Sequence, residues 1–134
     1  MSLEILLPEG WPRPSGYSNG IAATGRQIFV AGQIGWDANK HLESGNFVAQ
    51  ARQALLNIVA VLSSGGAKAE HIVRLTWYVT NAEQYRTSGA ALGAAYREVM
   101  GHHYPVMSAV QVVALMERDA LVEIEATAVV PEHG

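Results

Sequence analysis

Two carboxyl groups, Glu123 and Glu125 of the stretch "LVEIEATAV", stand two residues apart in a β-prone run, which puts both on one face of a strand roughly 7 Å apart. Paired carboxyls can divide general acid and base work. Glycosidases hold theirs across a cleft on different elements, however, and a pair on one strand does not suit that chemistry. Glu123 is the candidate for activating water, against a surface or interfacial ion pair, whereas Glu125 reads as structural. The run "GYSNG" (16–20) matches G-x-S-x-G, but a nucleophile elbow needs a strand before it and a helix after it. Ser18 follows a proline-rich stretch and precedes a short strand, so it reads as a loop residue. His102 and His103 are adjacent and diverge in an extended segment, and His41, His71 and His133 lack ligand spacing, so no metal or other cofactor is expected. Arg74, Arg86 and Arg97 are candidate anion anchors, with Arg74 best placed and a solvated or interfacial Arg as the alternative. Trp36, His103 and Tyr104 are candidates to line a cleft, and Trp77 belongs to a core stripe.

These residues need elements to hold them. Residues 20–33, "GIAATGRQIFVAGQ", contain two short β-prone runs broken at Gly25 and Arg26, which predicts a hairpin. A wider turn follows over 37–40. Residues 46–63 place Phe47, Ala51, Ala54, Leu55, Ile58 and Leu62 at helical spacing, with Gln50, Arg52, Gln53 and Asn57 on the other side. Asn46 is its predicted cap, and Gly65-Gly66 its stop. Residues 71–80 predict a strand with Val73, Leu75, Trp77 and Val79 on the buried face and Ile72, Arg74, Thr76 and Tyr78 opposite. A second helix is predicted over about 82–100, capped by Asn81, although Gly89 and Gly93 weaken it by roughly 1 kcal/mol each. Two strands, about 106–114 and 121–130, flank the turn "MERD". The order β-β-α-β-α-β-β predicts an α+β domain with both helices on one face of a mixed sheet. The other face carries apolar groups that two helices cannot cover, so a homo-oligomer is expected.

Composition narrows the partners. The 134 residues, 49% hydrophobic, suffice for one well-packed domain over 1–134. A net charge of -3 offers no general attraction to phosphate backbones or anionic lipid, so neither nucleic acid nor a membrane is an expected partner. The absence of Cys excludes thiol catalysis and thiolate metal sites, and it agrees with a reducing, cytoplasmic location. The first sixteen residues, with Glu4 and Pro8, do not read as a signal peptide, and no uninterrupted apolar run approaches the ~20 residues of a membrane span.

Taken in order, "GYSNGI", "IFVAGQIGWD", "QARQALLNIVAVLSSGGA", "HIVRLTWYV" and "LVEIEATAV" resemble the RidA family, also called YjgF or L-PSP endoribonuclease-like, from about residue 17 to 130. The resemblance implies a chorismate-mutase-like α+β fold assembled as a homotrimer with clefts between subunits. It also implies hydrolysis of enamines and imines such as 2-aminoacrylate to 2-keto acids and ammonia, without a cofactor. Carried over by position, Tyr17 matches the cleft Tyr, Gly32 the Gly whose backbone lies beside the substrate, and Glu123 the acid that handles water. The backbone carbonyl of Ala109 helps hold that water.

Two positions depart from the pattern. The family's carboxylate-binding Arg falls on Met107 of "YPVMSAV", and an Asn early in the second helix falls near Ala90. A thioether cannot pair with a carboxylate, and the lost charge-assisted hydrogen bond is worth about 1.5 to 3 kcal/mol. The expected function is therefore a RidA-type hydrolase or deaminase acting in inter-subunit clefts on a less anionic or more apolar molecule than the standard amino-acid imines. Met107 can alternatively be a packing residue of its strand. The second functional reading is a non-catalytic trimer that binds a small metabolite or a protein partner. Ribonuclease activity, suggested by the old family name, suits the charge poorly, since no basic stripe with interleaved aromatics is present.

Overall fold

The computed structural model describes residues 3–132, so His133 lies outside it. Along the chain come β1 (Leu3–Leu6), β2 (Gly20–Ala23), β3 (Arg26–Gln33), α1 (Phe47–Ser64), a 3-10 turn (Ala69–His71), β4 (Ile72–Val79), α2 (Ala82–Thr87), α3 (Gly89–Met100), β5 (Val106–Gln111) and β6 (Val122–Val130). The main sheet has the order β3-β6-β4-β5, antiparallel except for the parallel pair β4 and β5. The mixed α+β architecture agrees with the expectation from the sequence, with α1 and α3 packed together and α1 against the sheet.

α1 forms where its signals put it. The Asn46 side chain accepts from the Ala49 N–H at 3.0 Å, meeting one of the donors that a helix start leaves free. At the other end Gly66 adopts φ 76°, while Gly66 N donates to Ser63 O and Ala67 N to Leu62 O, so the last carbonyls are met as the chain reverses. Its stripe from Phe47 to Leu62 packs on Leu75, Trp77, Ile124 and Ala126 of the sheet to make the hydrophobic core. By length and composition α1 could cross a bilayer, but that apolar stripe is occupied by the sheet.

Four expectations are corrected. The chain makes no hairpin between β2 and β3: β2 pairs with β1, and β3 with β6. Gly25 lies so close to the end of β6 that a Cβ there would come within 2.8 Å of the Val130 carbonyl carbon, and this bend directs the two runs into separate sheets. In β4 the register jumps between Ile72 and Arg74, a bulge at Val73 that turns Ile72 into the core and moves Val73 toward the rim. The second helix divides at Ser88, which leaves helical geometry (φ -95°, ψ 11°) just ahead of the weak helix former Gly89. Gln50, assigned to the polar side of α1, is 0% exposed. Its amide donates to Glu43 O (2.9 Å) and Asp119 O (3.1 Å) and accepts from Leu121 N (2.8 Å), tying together two loops that side-chain spacing alone treats as independent.

Candidate functional site

Two cavities, each built from different elements, hold Tyr17, Gly32, Met107, Ala109 and Glu123. The first, about 690 Å³, opens at the end of β3 and is lined by Gly32, Gln33, Trp36, Asn57, Met116 and Glu123, among others. Glu123 packs directly over Gly32: a Cβ there would sit 2.7 Å from the carboxyl carbon, so only glycine leaves this carboxyl group in place. The irregular register of β3 between Val30 and Gln33 brings that backbone to it. Asn57 of α1 donates to Ile34 O (3.1 Å) and Trp36 O (2.7 Å) and so fixes the loop that carries Trp36, over whose ring Lys40 lies at 5.6 Å. The turn beyond is the predicted one. Asp37 accepts from the N–H groups of Asn39 (2.8 Å) and His41 (2.9 Å), and these bonds, the His41 one foremost, hold its carboxyl below the ordinary value.

The second cavity, about 600 Å³, lies between β5, the adjoining part of β4, the helix pair α2–α3 and the loop before β2. Tyr17, Met107 and Ala109 line it, with Trp77, Tyr85, Tyr96 and Tyr104 supplying aromatic walls. Met107 is half-buried and pairs in register with Leu75, so it shares the helix-facing side of the sheet. Tyr96 and Tyr104 stack at 5.4 Å, and the Tyr96 hydroxyl donates to His103 O at 2.6 Å. Burial, helped by Tyr104, pushes the Tyr96 phenol well above its ordinary value, so it stays a donor. Ser18 donates to Tyr104 O at 2.6 Å, a loop-anchoring role rather than a nucleophile's.

The structure therefore brings Gly32 to Glu123 and groups Tyr17 with Met107 and Ala109, but it does not bring the two sets together. Val122 and Ile124 of β6 turn into the core, so Glu123 between them turns to the opposite face, two strands away from β5. Glu125 shares that face and accepts a short hydrogen bond from Tyr78, whose phenol it pushes upward. Arg74 lines neither cavity; Arg86 and Arg97 line the second. His103 does not line a cleft, because its Nε2 contacts Ile72 O at 2.6 Å. Sequence reasoning missed Asn57, Tyr96 and Met116, whose helical or turn positions carry no signal of their own. Among the described residues no three His, Asp or Glu side chains cluster as a metal centre would require.

The family model for Endoribonuclease L-PSP matches residues 12–130. The chain belongs to the L-PSP, or RidA/YjgF, family. It is 35% identical over 127 residues to a RutC family protein of Pyrococcus horikoshii, covering 93% of this chain and 96% of that one. It is also 34% identical over 107 residues to the 2-iminobutanoate/2-iminopropanoate deaminase of Salmonella typhimurium, covering 78% and 80%. Among solved structures, a Rid family protein of Yersinia pestis superposes with a TM-score of 0.85 at 33% identity, over 97% of this chain and 100% of that one.

Proposed function

We propose that this RidA-family chain is an imine or enamine hydrolase whose site is completed only where subunits of a homotrimer meet. The observation that carries the reading is the split described above: Glu123 with Gly32 on one side of the sheet, Tyr17 with Met107 and Ala109 on the other. A ligand within one chain cannot touch both sets, whereas a cleft between two copies can offer both. Support for such an interface comes from apolar side chains left open to solvent, Phe29 at 71% and Val113 and Met116 almost completely, and from the outer edges of β3 and β5, the latter met only at Val106 by a bridge from Ser18 among the described residues.

The chemistry follows from the residue types. Water adds to the imine carbon of R–C(=NH)–R′, forming a C–O bond while the C=N electron pair takes a proton at nitrogen. Collapse of the carbinolamine then breaks the C–N bond, giving the ketone and ammonia. Glu123 accepts one proton of the attacking water and passes it to the imine nitrogen, then takes the carbinolamine hydroxyl proton and gives it to the departing nitrogen; the Ala109 carbonyl orients that water, and Tyr17 closes the site. With Met107 where the family pattern places an Arg, the ligand is more apolar than the small imines of amino acids. Met107 also favours the second reading, a trimer that binds a metabolite or a protein partner without turning it over.

Glu123→Gln separates the two readings. As a hydrolase the protein loses ammonia release by at least about 100-fold while trimer mass and ligand binding persist. A variant that keeps full activity overturns the role given to Glu123. Light scattering that finds only the 14.4 kDa monomer at micromolar concentration overturns the shared site.

A further inference from the structure

We infer that Arg97 anchors a carboxylate in the cavity beside Met107, and that the ligand there is a 2-imino or 2-keto acid with a large apolar or aromatic side chain. The inference rests on the reading that this cavity is one half of the active site. Arg97 projects from α3 over Gly93, one helical turn before it, with its Nη1 3.2 Å from where a Gly93 Cβ would lie. Helical side chains lean toward the N-terminus, so this reach is the ordinary one, and the missing side chain at Gly93 is what lets the guanidinium reach the cavity wall. Both residues line the cavity together with Met107.

The charge at Arg97 is uncommitted. No carboxylate lies within ion-pair distance of it among the described residues, and its neighbour Glu98 is held by Arg52. Arg86, the other cation on this wall, faces Glu83 at 3.3 Å. Among the described residues no Asp or Glu lines the cavity, so the local field there is positive in a chain whose net charge is -3. The planar fork of Arg97 suits a carboxylate, and Arg74, the anchor favoured by strand position, has no access to this space.

The rest of the lining describes the remainder of the ligand. Trp77, Tyr85, Leu92 and Met107 are apolar surfaces, and the Met107 thioether adapts to a bulky group where an Arg would occupy the space. The volume lies within the range of pockets for drug-sized molecules, and 2-iminopropanoate would leave most of it empty.

The test measures the affinity of the intact protein for phenylpyruvate, its uncharged methyl ester and pyruvate, in the unmodified chain and in Arg97→Met, Arg97→Lys and Arg74→Met. Phenylpyruvate is expected to bind more tightly than pyruvate and to lose about 10- to 100-fold in Arg97→Met. The loss should be smaller in Arg97→Lys and absent in Arg74→Met, and the ester should be indifferent to all three changes. Undiminished phenylpyruvate binding in Arg97→Met, an equal loss for the ester, or no binding by the unmodified chain overturns the anchor. Ammonia release from the imine of phenylalanine is followed on the same proteins. Arg97-dependent binding without turnover sinks the hydrolase reading and leaves the anchor standing; turnover with a KM unchanged in Arg97→Met does the reverse.

Discussion

Replacing Gly32 by Ala asks whether the Glu123 carboxyl group must stand where it does. The added Cβ would lie 2.7 Å from the carboxyl carbon and 2.9 Å from Cγ of Glu123. Carbon atoms rest at about 3.5 Å or more, so the carboxyl group must retreat by about 1 Å. The Gly32 backbone is not in the left-handed region, and Ala fits its conformation without strain. Glu123 is half-buried and free to move outward, which keeps the loss of stability below about 1 kcal/mol. A water-handling group misplaced by about 1 Å costs on the order of 100-fold in rate, equivalent to about 2.7 kcal/mol of transition-state stabilisation. Ammonia release from freshly generated imines, read beside a urea unfolding curve, should show a rate about 100-fold lower with an almost unmoved midpoint. Full activity in Gly32→Ala would refute the placement of Glu123 in the chemistry, and a fall in rate matched by a fall in folded protein would refute its local origin.

Three further perturbations bear on the frame that holds the site. Gln50→Leu leaves the Leu121 N–H and the carbonyls of Glu43 and Asp119 without their partner, and should cost about 2 to 4 kcal/mol in denaturant unfolding. Ile72→Ala should cost about 2 to 4 kcal/mol and Val73→Ala under about 1 kcal/mol, an order that a strand without the bulge would invert. Alkali should unfold the chain through its phenols: Tyr78, Tyr85 and Tyr96 all hold their protons above the ordinary value of 10.0, the first through Glu125 and the other two through burial. The unfolded state releases those protons first, so stability should be level below pH 10 and fall above it, with tyrosinate absorbance rising together with loss of structure.

Much of the fold was legible because its signals are local. The α1 stripe, the Asn46 and Asn81 caps and the alternation of β6 each follow from spacing within a single segment. The misreadings have the opposite origin. β2 had two partners of similar character available, and the bend at Gly25 against β6 chose between them, a contact between residues over a hundred positions apart. The Val73 bulge depends on how β6 lies beside β4, and Gln50 is buried because loops at 43 and 119 close over it. No window on α1 or β4 contains that information.

The site divides along the same line. Motif matching returned Tyr17, Gly32, Met107, Ala109 and Glu123 as one set, since position in a family pattern carries no record of sheet face or chain copy. Alternation along β6 already places Glu123 opposite Ile124, but nothing in β5 alone says that Met107 faces the helices; its parallel register with Leu75 does. The same register explains why strand position misdirected the choice of anchor. Arg74 alternates with Leu75 and points away from the cavity wall that Leu75 lines, while Arg97 reaches that cavity from the helix opposite because Gly93 leaves the way open. A cation can thus be lost from a strand and regained from a helix facing the same space, a substitution visible only when both elements are packed. If Arg97 holds the carboxylate and Met107 borders the apolar group, Met107→Arg should fill the space of the phenyl ring, weakening phenylpyruvate binding while pyruvate, favoured by the added cation, holds or gains; tighter phenylpyruvate binding in that variant would mean that the anchor belongs to β5 after all.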